Sequence, residues 1–314
     1  MHLHLAAFVL ALIAAPALAA KKPPPPPPLP PLVLDAAAPV VTVSIDGKLL
    51  RLRVDPAGTR HVQLNASAAR RLDLANPARL VAGKPVDQGR SRTQVGKVPV
   101  TETTSDEIIR YQSRDLPLTL AWSTRDHVAG ADGMIAPRYL PHDVVRWVRR
   151  TATANDVTVN FPMQWHSGRG LLGTMAAGPR NVDVEIDSAA AETIVTAAAA
   201  SHLAAAFGGR LDGPVRDAVI ALGVSRPVRD VVFDRPIAVA GVRLTRASVR
   251  LFDWSGTTSL PADPLAGDEI VVRGRFDGQR RWAKLVLGND RLSACADMTW
   301  TREPQAMDLT CPGP

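Results

Sequence analysis

Apolar and polar residues alternate over short runs from Val40 onward, a pattern typical of β-strands that bury one face. The first two runs flank Asp46-Gly47, a dipeptide that favours the two-residue turn of a β-hairpin. The second run ends at Asp55, and the small residues Pro56-Ala57-Gly58 follow it. A short strand, His61 to Leu64, is predicted next, and then a short helix.

The same order of parts recurs in the second half of the chain. Asp187 directly follows the strand Val182 to Ile186, and the turn Ser188-Ala189-Ala190 comes next. A second strand, Glu192 to Val195, precedes an alanine-rich helix for which Thr196 is the predicted N-cap. The pattern therefore places a carboxylate at the end of one strand in each half.

Two further features support a repeat. The helix of the first half also has candidate N-caps, Asn65 and Ser67. Each half ends with two apolar residues before a small one, at Met134-Ile135-Ala136 and Val286-Leu287-Gly288. A repeat this long indicates a duplicated domain rather than a solenoid.

The beginning of the chain predicts export. Residues 1–20 are mostly apolar and end in small residues, and Ala17-Leu18-Ala19 matches the A-x-A pattern of a signal-peptide cleavage site. The prolines of Lys21 to Pro31 predict a stiff, extended spacer or, alternatively, a ligand for a proline-binding module. We expect a periplasmic or secreted protein with no membrane span after signal cleavage.

These patterns predict an all-β chain with a few short helices, and 314 residues are enough for two lobes. A glycine-rich stretch separates the halves. The predicted segments are a signal peptide (1–20), a proline-rich linker (21–37), an N-terminal lobe (38–165), an interlobe linker (166–180) and a C-terminal lobe (181–314).

The chain has two cysteines, Cys295 and Cys311. Apolar runs on either side of Glu303 read as strands, and a hairpin that turns there places the two sulfur atoms opposite each other. Because export leads to an oxidising compartment, we predict a disulfide.

Charge and residue spacing argue against several classes of partner and cofactor. The net charge is +7, but the basic residues are scattered, with small clusters at Arg146–Arg150 and Arg273–Arg281, and aromatic residues do not interleave with them. We therefore expect no nucleic-acid partner, although a loose attraction to anionic polymers or membrane surfaces stays open. The G-x-G-x-x-G of residues 168–173 is not followed by room for a helix, so no dinucleotide cofactor is expected. The histidines are scattered, and no metal site is predicted.

The two aspartates suggest a specific chemistry. Each alone is explained by a turn in which its side chain accepts the next backbone N–H groups. Two carboxyl groups that face each other cannot both ionise easily, so they share one proton. One can then activate a water molecule while the other donates a proton to a carbonyl oxygen. The duplication of the pattern at Asp55 and Asp187 favours this second interpretation.

At these residues the sequence resembles the aspartic protease superfamily, both pepsin-like and retropepsin-like. The likeness lies in Val54-Asp55-Pro56-Ala57-Gly58 and Ile186-Asp187-Ser188-Ala189-Ala190, and in the apolar-apolar-small segments that end each half. The resemblance implies two pseudo-symmetric β-barrel lobes, catalytic Asp55 and Asp187, and a peptide or protein substrate in the cleft between the lobes. The two turns, residues 56–58 and 188–190, would support the active site.

The sequence departs from the family at the tightest positions. Pro56 stands where the family has Thr or Ser, and Ala57 and Ala189 stand where it has Gly. Two functions therefore stay open. One is an exported aspartic-type endopeptidase. The other is a catalytically degenerate relative that binds peptides or polymers, or acts as a scaffold, in the cell envelope.

Overall fold

A computed structural model describes residues 27, 29–59, 62–76, 78–81, 83–85, 88–95, 98–251 and 282–313. The expected signal peptide, residues 21–26 of the linker, His61 and the Arg273–Arg281 cluster lie outside the described residues. Strands make up 58% and helices 10% of the described part, so the predicted all-β class with a few short helices is confirmed. No helix among these residues has the length and apolar character that crossing a membrane requires.

The strands and helices follow one another along the chain with short connections. In chain order they are β1 (Leu32–Asp35), β2 (Val40–Ile45), β3 (Lys48–Val54), β4 (Val62–Leu64), α1 (Ala66–Arg71), β5 (Leu80–Val81), β6 (Lys84–Pro85), β7 (Gln88–Val95), β8 (Val98–Tyr111), β9 (Arg114–Trp122), β10 (Gly133–Ile135), a 3-10 turn (Pro137–Tyr139), β11 (Val144–Val148), β12 (Asp156–Pro162), β13 (Gln164–His166), β14 (Gly170–Ala177), β15 (Arg180–Ile186), β16 (Ile194–Val195), α2 (Ala197–Phe207), β17 (Arg210–Ala221), β18 (Val224–Val239), β19 (Val242–Arg250), β20 (Lys284–Leu287), α3 (Asn289–Leu292), β21 (Asp297–Thr301) and β22 (Ala306–Pro312).

The first large sheet has seven strands in the order β2-β3-β10-β4-β9-β8-β7. A further pairing of β2 with β8, at Ser44 and Arg110, closes six of them into a barrel. Along β3 the apolar residues Leu50, Leu52 and Val54 are fully buried, while the residues between them face the other side. The alternation read from the sequence is therefore the alternation of the pleated strand.

The second large sheet has the order β13-β14-β15-β20-β16-β19-β18-β17. From β14 onward it repeats the first sheet strand for strand, with the same parallel and antiparallel pairings. The register repeats as well, since Val54 is opposite Ile135 in the first sheet and Ile186 is opposite Leu287 in the second. No pairing between described residues closes the second sheet into a barrel.

A third sheet, β1-β11-β21-β22-β12, collects segments from near the start, the middle and the end of the chain. Its centre carries Trp147 and Trp300, both with no exposed surface. The Trp147 Nε1–H donates to the carbonyl oxygen of Val54 at 3.0 Å. This bond connects the third sheet to β3 at the residue directly before Asp55.

Two segments predicted as linkers are packed parts of the fold. In the stretch 21–37, residues Leu32–Asp35 form β1, and the Pro30 carbonyl lies 2.6 Å from Nδ1 of the buried His142. In the stretch 166–180, residues Gly170–Ala177 form β14. Gly173 of β14 allows the Phe161 ring to approach closer than any side chain would permit. At Gly173, therefore, the absence of a side chain serves close packing within a strand.

The predicted disulfide is confirmed. Cys295 and Cys311 are bonded, and both are buried. Strands β21 and β22 form the expected antiparallel hairpin across Glu303, with Thr301 opposite Ala306. The bond joins Cys295, two residues before β21, to Cys311 within β22.

Candidate functional site

Asp55 lies directly after β3, in a turn held by backbone contacts. Its N–H donates to the Ile135 carbonyl at 3.1 Å, and its Oδ1 accepts the Ala57 N–H at 2.9 Å. Pro56, Ala57 and Gly58 are all buried, and Asp55 has no exposed surface. A Cβ at Gly58 would lie 2.8 Å from the Ala136 Cβ, so this position needs glycine.

Asp187 occupies the equivalent place after β15. Its N–H donates to the Leu287 carbonyl at 3.1 Å, and its Oδ1 accepts the N–H groups of Ala189 and Ala190, each at 2.9 Å. In contrast to Asp55, Asp187 is partly exposed, and Ala189 near it is exposed. The second turn therefore meets solvent where the first does not.

The two turns contact each other through side chains. The Ser188 hydroxyl, from the second turn, donates to Oδ2 of Asp55 at 2.6 Å. The Arg53 guanidinium, from β3, donates through Nη2 to the Ser188 carbonyl oxygen at 2.9 Å and to its Oγ at 3.1 Å. Arg53 Nε lies 3.7 Å from Asp55 Oδ2. Residues far apart in the sequence thus form one small polar cluster.

The two carboxyl groups influence each other's proton affinity. Burial raises the pKa of Asp55 to about 7, with the Asp187 charge as the second cause, against the lowering effects of Ser188, Ala57 and Arg53. Burial also raises the pKa of Asp187, against its bonds to Ala190 and Ala189 and the charges of Lys284 and Arg53. A carboxyl group that keeps its proton near neutral pH can donate it, while an ionised neighbour can accept one.

The sequence reasoning missed three charged residues at this site. Arg53 and Glu185 each lie two positions before an aspartate, and the period of two along a strand places them on the same face as that aspartate. Glu185 is buried, and Lys284 Nζ lies 2.7 Å from its Oε2. Burial raises the pKa of Glu185. The spacing of two was the signal that would have found Arg53 and Glu185.

Two long hairpins in equivalent places of the repeated sheets touch each other near their turns. They are β7–β8 in the first sheet and β17–β18 in the second. Their contact is a small apolar cluster separate from the main core, formed by residues of both hairpins: Val95, Val98, Val100, Ile220, Leu222 and Val224. The structure therefore joins the two sheets here as well as at the two turns.

Two surface cavities, of about 310 and 370 Å³, lie elsewhere, against β8 and β9 and against α1, and neither is lined by Asp55 or Asp187. In the described part of the chain, no group of three or more His, Cys, Asp and Glu side chains is placed to hold a metal ion. The polar cluster around the two aspartates is the candidate site because side chains of both turns meet in it. A comparison with known protein families finds no match, and no curated protein is significantly similar to the chain.

Proposed function

We propose that the protein is an exported aspartic-type endopeptidase with a bilobed, pepsin- or retropepsin-like fold. Asp55 and Asp187 act as its catalytic pair, and a peptide or protein substrate binds in the groove between the lobes. One observation carries the proposal. The Ser188 hydroxyl of the second turn is bonded to the Asp55 carboxyl group of the first, across two turns that occupy equivalent places in the repeated sheets.

In the proposed reaction the pair holds a single proton. The ionised carboxylate takes a proton from a water molecule as that water attacks the carbonyl carbon of the peptide bond. The protonated carboxyl group donates its proton to the carbonyl oxygen, and the tetrahedral intermediate then breaks as the amine leaves with a proton from the pair. Asp187 is the partly exposed member and gives the pair its contact with solvent.

A second candidate is a non-catalytic relative that binds peptides or polymers, or acts as a scaffold, in the cell envelope. Both oxygen atoms of Asp55 are occupied within the protein, by the Ala57 N–H and the Ser188 hydroxyl, and the residue has no exposed surface. In this structure the Asp55 carboxyl group is shielded from solvent. This observation favours a binding function over turnover.

Hydrolysis of a peptide library between pH 3 and pH 8 distinguishes the two candidates. For the endopeptidase we expect turnover that declines as pH rises through about 7, where Asp55 loses its proton. Asp55→Asn and Asp187→Asn should each lower the rate by at least about 100-fold, since each removes a general acid or base. Asp115→Asn, at an exposed residue of β9, is the matched control.

Binding of peptides without turnover, unchanged in both aspartate variants, would establish the second candidate instead. Turnover that survives both substitutions would show that the reaction does not use this pair.

A further inference from the structure

We propose that Arg53 is a positioning residue of this site, which holds the Ser188 turn in place against Asp55. The inference deepens the proposed function and rests on it for the effect on catalysis. The contact of Arg53 with Ser188 and Asp55 can be tested whether or not the protein hydrolyses peptides.

The contacts of Arg53 carry the inference. Nη2 reaches from β3 to the carbonyl oxygen and the hydroxyl of Ser188, and Nε lies beside Asp55. Only 17% of the Arg53 side chain is exposed, although arginine side chains are mostly exposed. Its Nε is buried and has no hydrogen-bond partner among the described residues. The other end of the guanidinium, Nη2, makes both hydrogen bonds to Ser188.

Pro56, the first residue of the turn after Asp55, cannot donate a hydrogen bond to the Ser188 turn. Pro56 has neither an N–H nor a hydroxyl group, so it offers no donor to the second turn. Arg53 lies two residues before Asp55, on the same face of the strand. A rigid, planar guanidinium can bond the Ser188 turn and lie beside the Asp55 carboxylate at the same time, whereas a lysine ammonium is a single point charge.

The position of Arg53 also affects the proton affinity of the pair. Asp55 is surrounded by Arg53, Ser188, the Ala57 N–H and Asp187. The charged groups around Asp187 are Asp55, Lys284, Arg53 and Glu185, the last of which also faces Arg250. Arg53 acts on both aspartates and lowers the pKa of each.

The test compares neutral and charged replacements by carboxyl-carbon NMR. Arg53→Met and Arg53→Gln should raise the titration midpoint of Asp55 by up to about one pH unit, since both remove a nearby cation that lowers the carboxyl pKa and release the Ser188 hydroxyl that also lowers it. Arg53→Lys should restore part of the wild-type midpoint. Arg51→Met, at an exposed residue one pleat earlier on the same strand, is the control and should leave it unchanged.

If wild type hydrolyses peptides, the neutral variants should lower kcat at least about tenfold with little change in KM, and the upper limb of the pH profile should move with the Asp55 midpoint.

A positioning role is overturned if both neutral variants titrate like wild type, or if Arg51→Met shifts the midpoint equally. If wild type has no activity, the proposed function fails, while the titrations still decide the role of Arg53. Because Gln keeps much of the side chain, it gives the readout if Met prevents folding.

Discussion

At the scale of single residues, the two aspartates stabilise their own turns, and Asp55 also takes part in a contact between the two turns. Asp187 accepts the N–H groups of Ala189 and Ala190, and Asp55 accepts the N–H of Ala57, so each is a turn aspartate. Asp55 is also bonded to Ser188 of the other turn. The turn bonds follow from local sequence, but the contact between the turns requires both halves of the fold.

Asp55→Asn should change the pH dependence of stability. The folded-state pKa of Asp55 is about 7 against an ordinary 3.8, so the unfolded chain releases this proton at lower pH. Asp55 therefore stabilises the protein below about pH 4, and this contribution is lost as pH rises to about 7. Relative to wild type, the Asn variant should gain up to about 4 kcal/mol of unfolding free energy between those values, because one pKa unit corresponds to about 1.4 kcal/mol.

Urea unfolding at four pH values between 4 and 8 measures this difference, with the exposed Asp115→Asn as control. Parallel stability curves for wild type and Asp55→Asn would contradict the raised pKa.

At the scale of secondary structure, local patterns predicted the strands that deliver the aspartates, which end at Val54 and Ile186. Thr196 caps α2 as expected, since its Oγ accepts the Ala199 N–H. Asn65 is the N-cap of α1 by position, but its carboxamide bonds the backbone of residues 127, 128 and 131 instead. The Asn65 side chain therefore binds a loop that is distant in sequence, although asparagine is a residue type that favours capping.

Replacing Trp147 by Phe tests the link between the third sheet and the Asp55 turn. The substitution removes the donor to the Val54 carbonyl, and a buried acceptor left unpaired costs about 1 to 3 kcal/mol. Trp300→Phe is a matched control because this tryptophan is equally buried, yet its Nε1 has no partner among the described residues. We expect Trp147→Phe to lower the free energy of unfolding more than Trp300→Phe does. Equal losses would show that ring volume, and not the hydrogen bond, decides the effect.

At the scale of the whole molecule, the two large sheets repeat one strand order, and the third sheet combines strands from β1 near the start to β22 at the end. The segments around residues 30 and 170 looked like linkers because the first is rich in proline and glycine recurs in the second. Their packing depends on partners such as His142 and Phe161, which local composition does not reveal.

The disulfide should stabilise the fold as a whole by limiting the unfolded chain. Cys295 and Cys311 are separated by 16 positions, and closing a loop of that size is worth about 3 kcal/mol. The double variant Cys295→Ala/Cys311→Ala should lose about that much unfolding free energy in urea, and wild type in reducing agent should match it. A loss below about 1 kcal/mol in both samples would contradict a stabilising role.

The sequence by itself determined the all-β class, the strand ends that carry Asp55 and Asp187, and the disulfide, because alternation, turn residues and cysteine spacing act over short distances. Only the tertiary structure decided the bond from Ser188 to Asp55, the reach of Arg53 across the turns and the raised pKa of the pair. These features depend on burial and on contacts between residues more than a hundred positions apart, which no local pattern encodes.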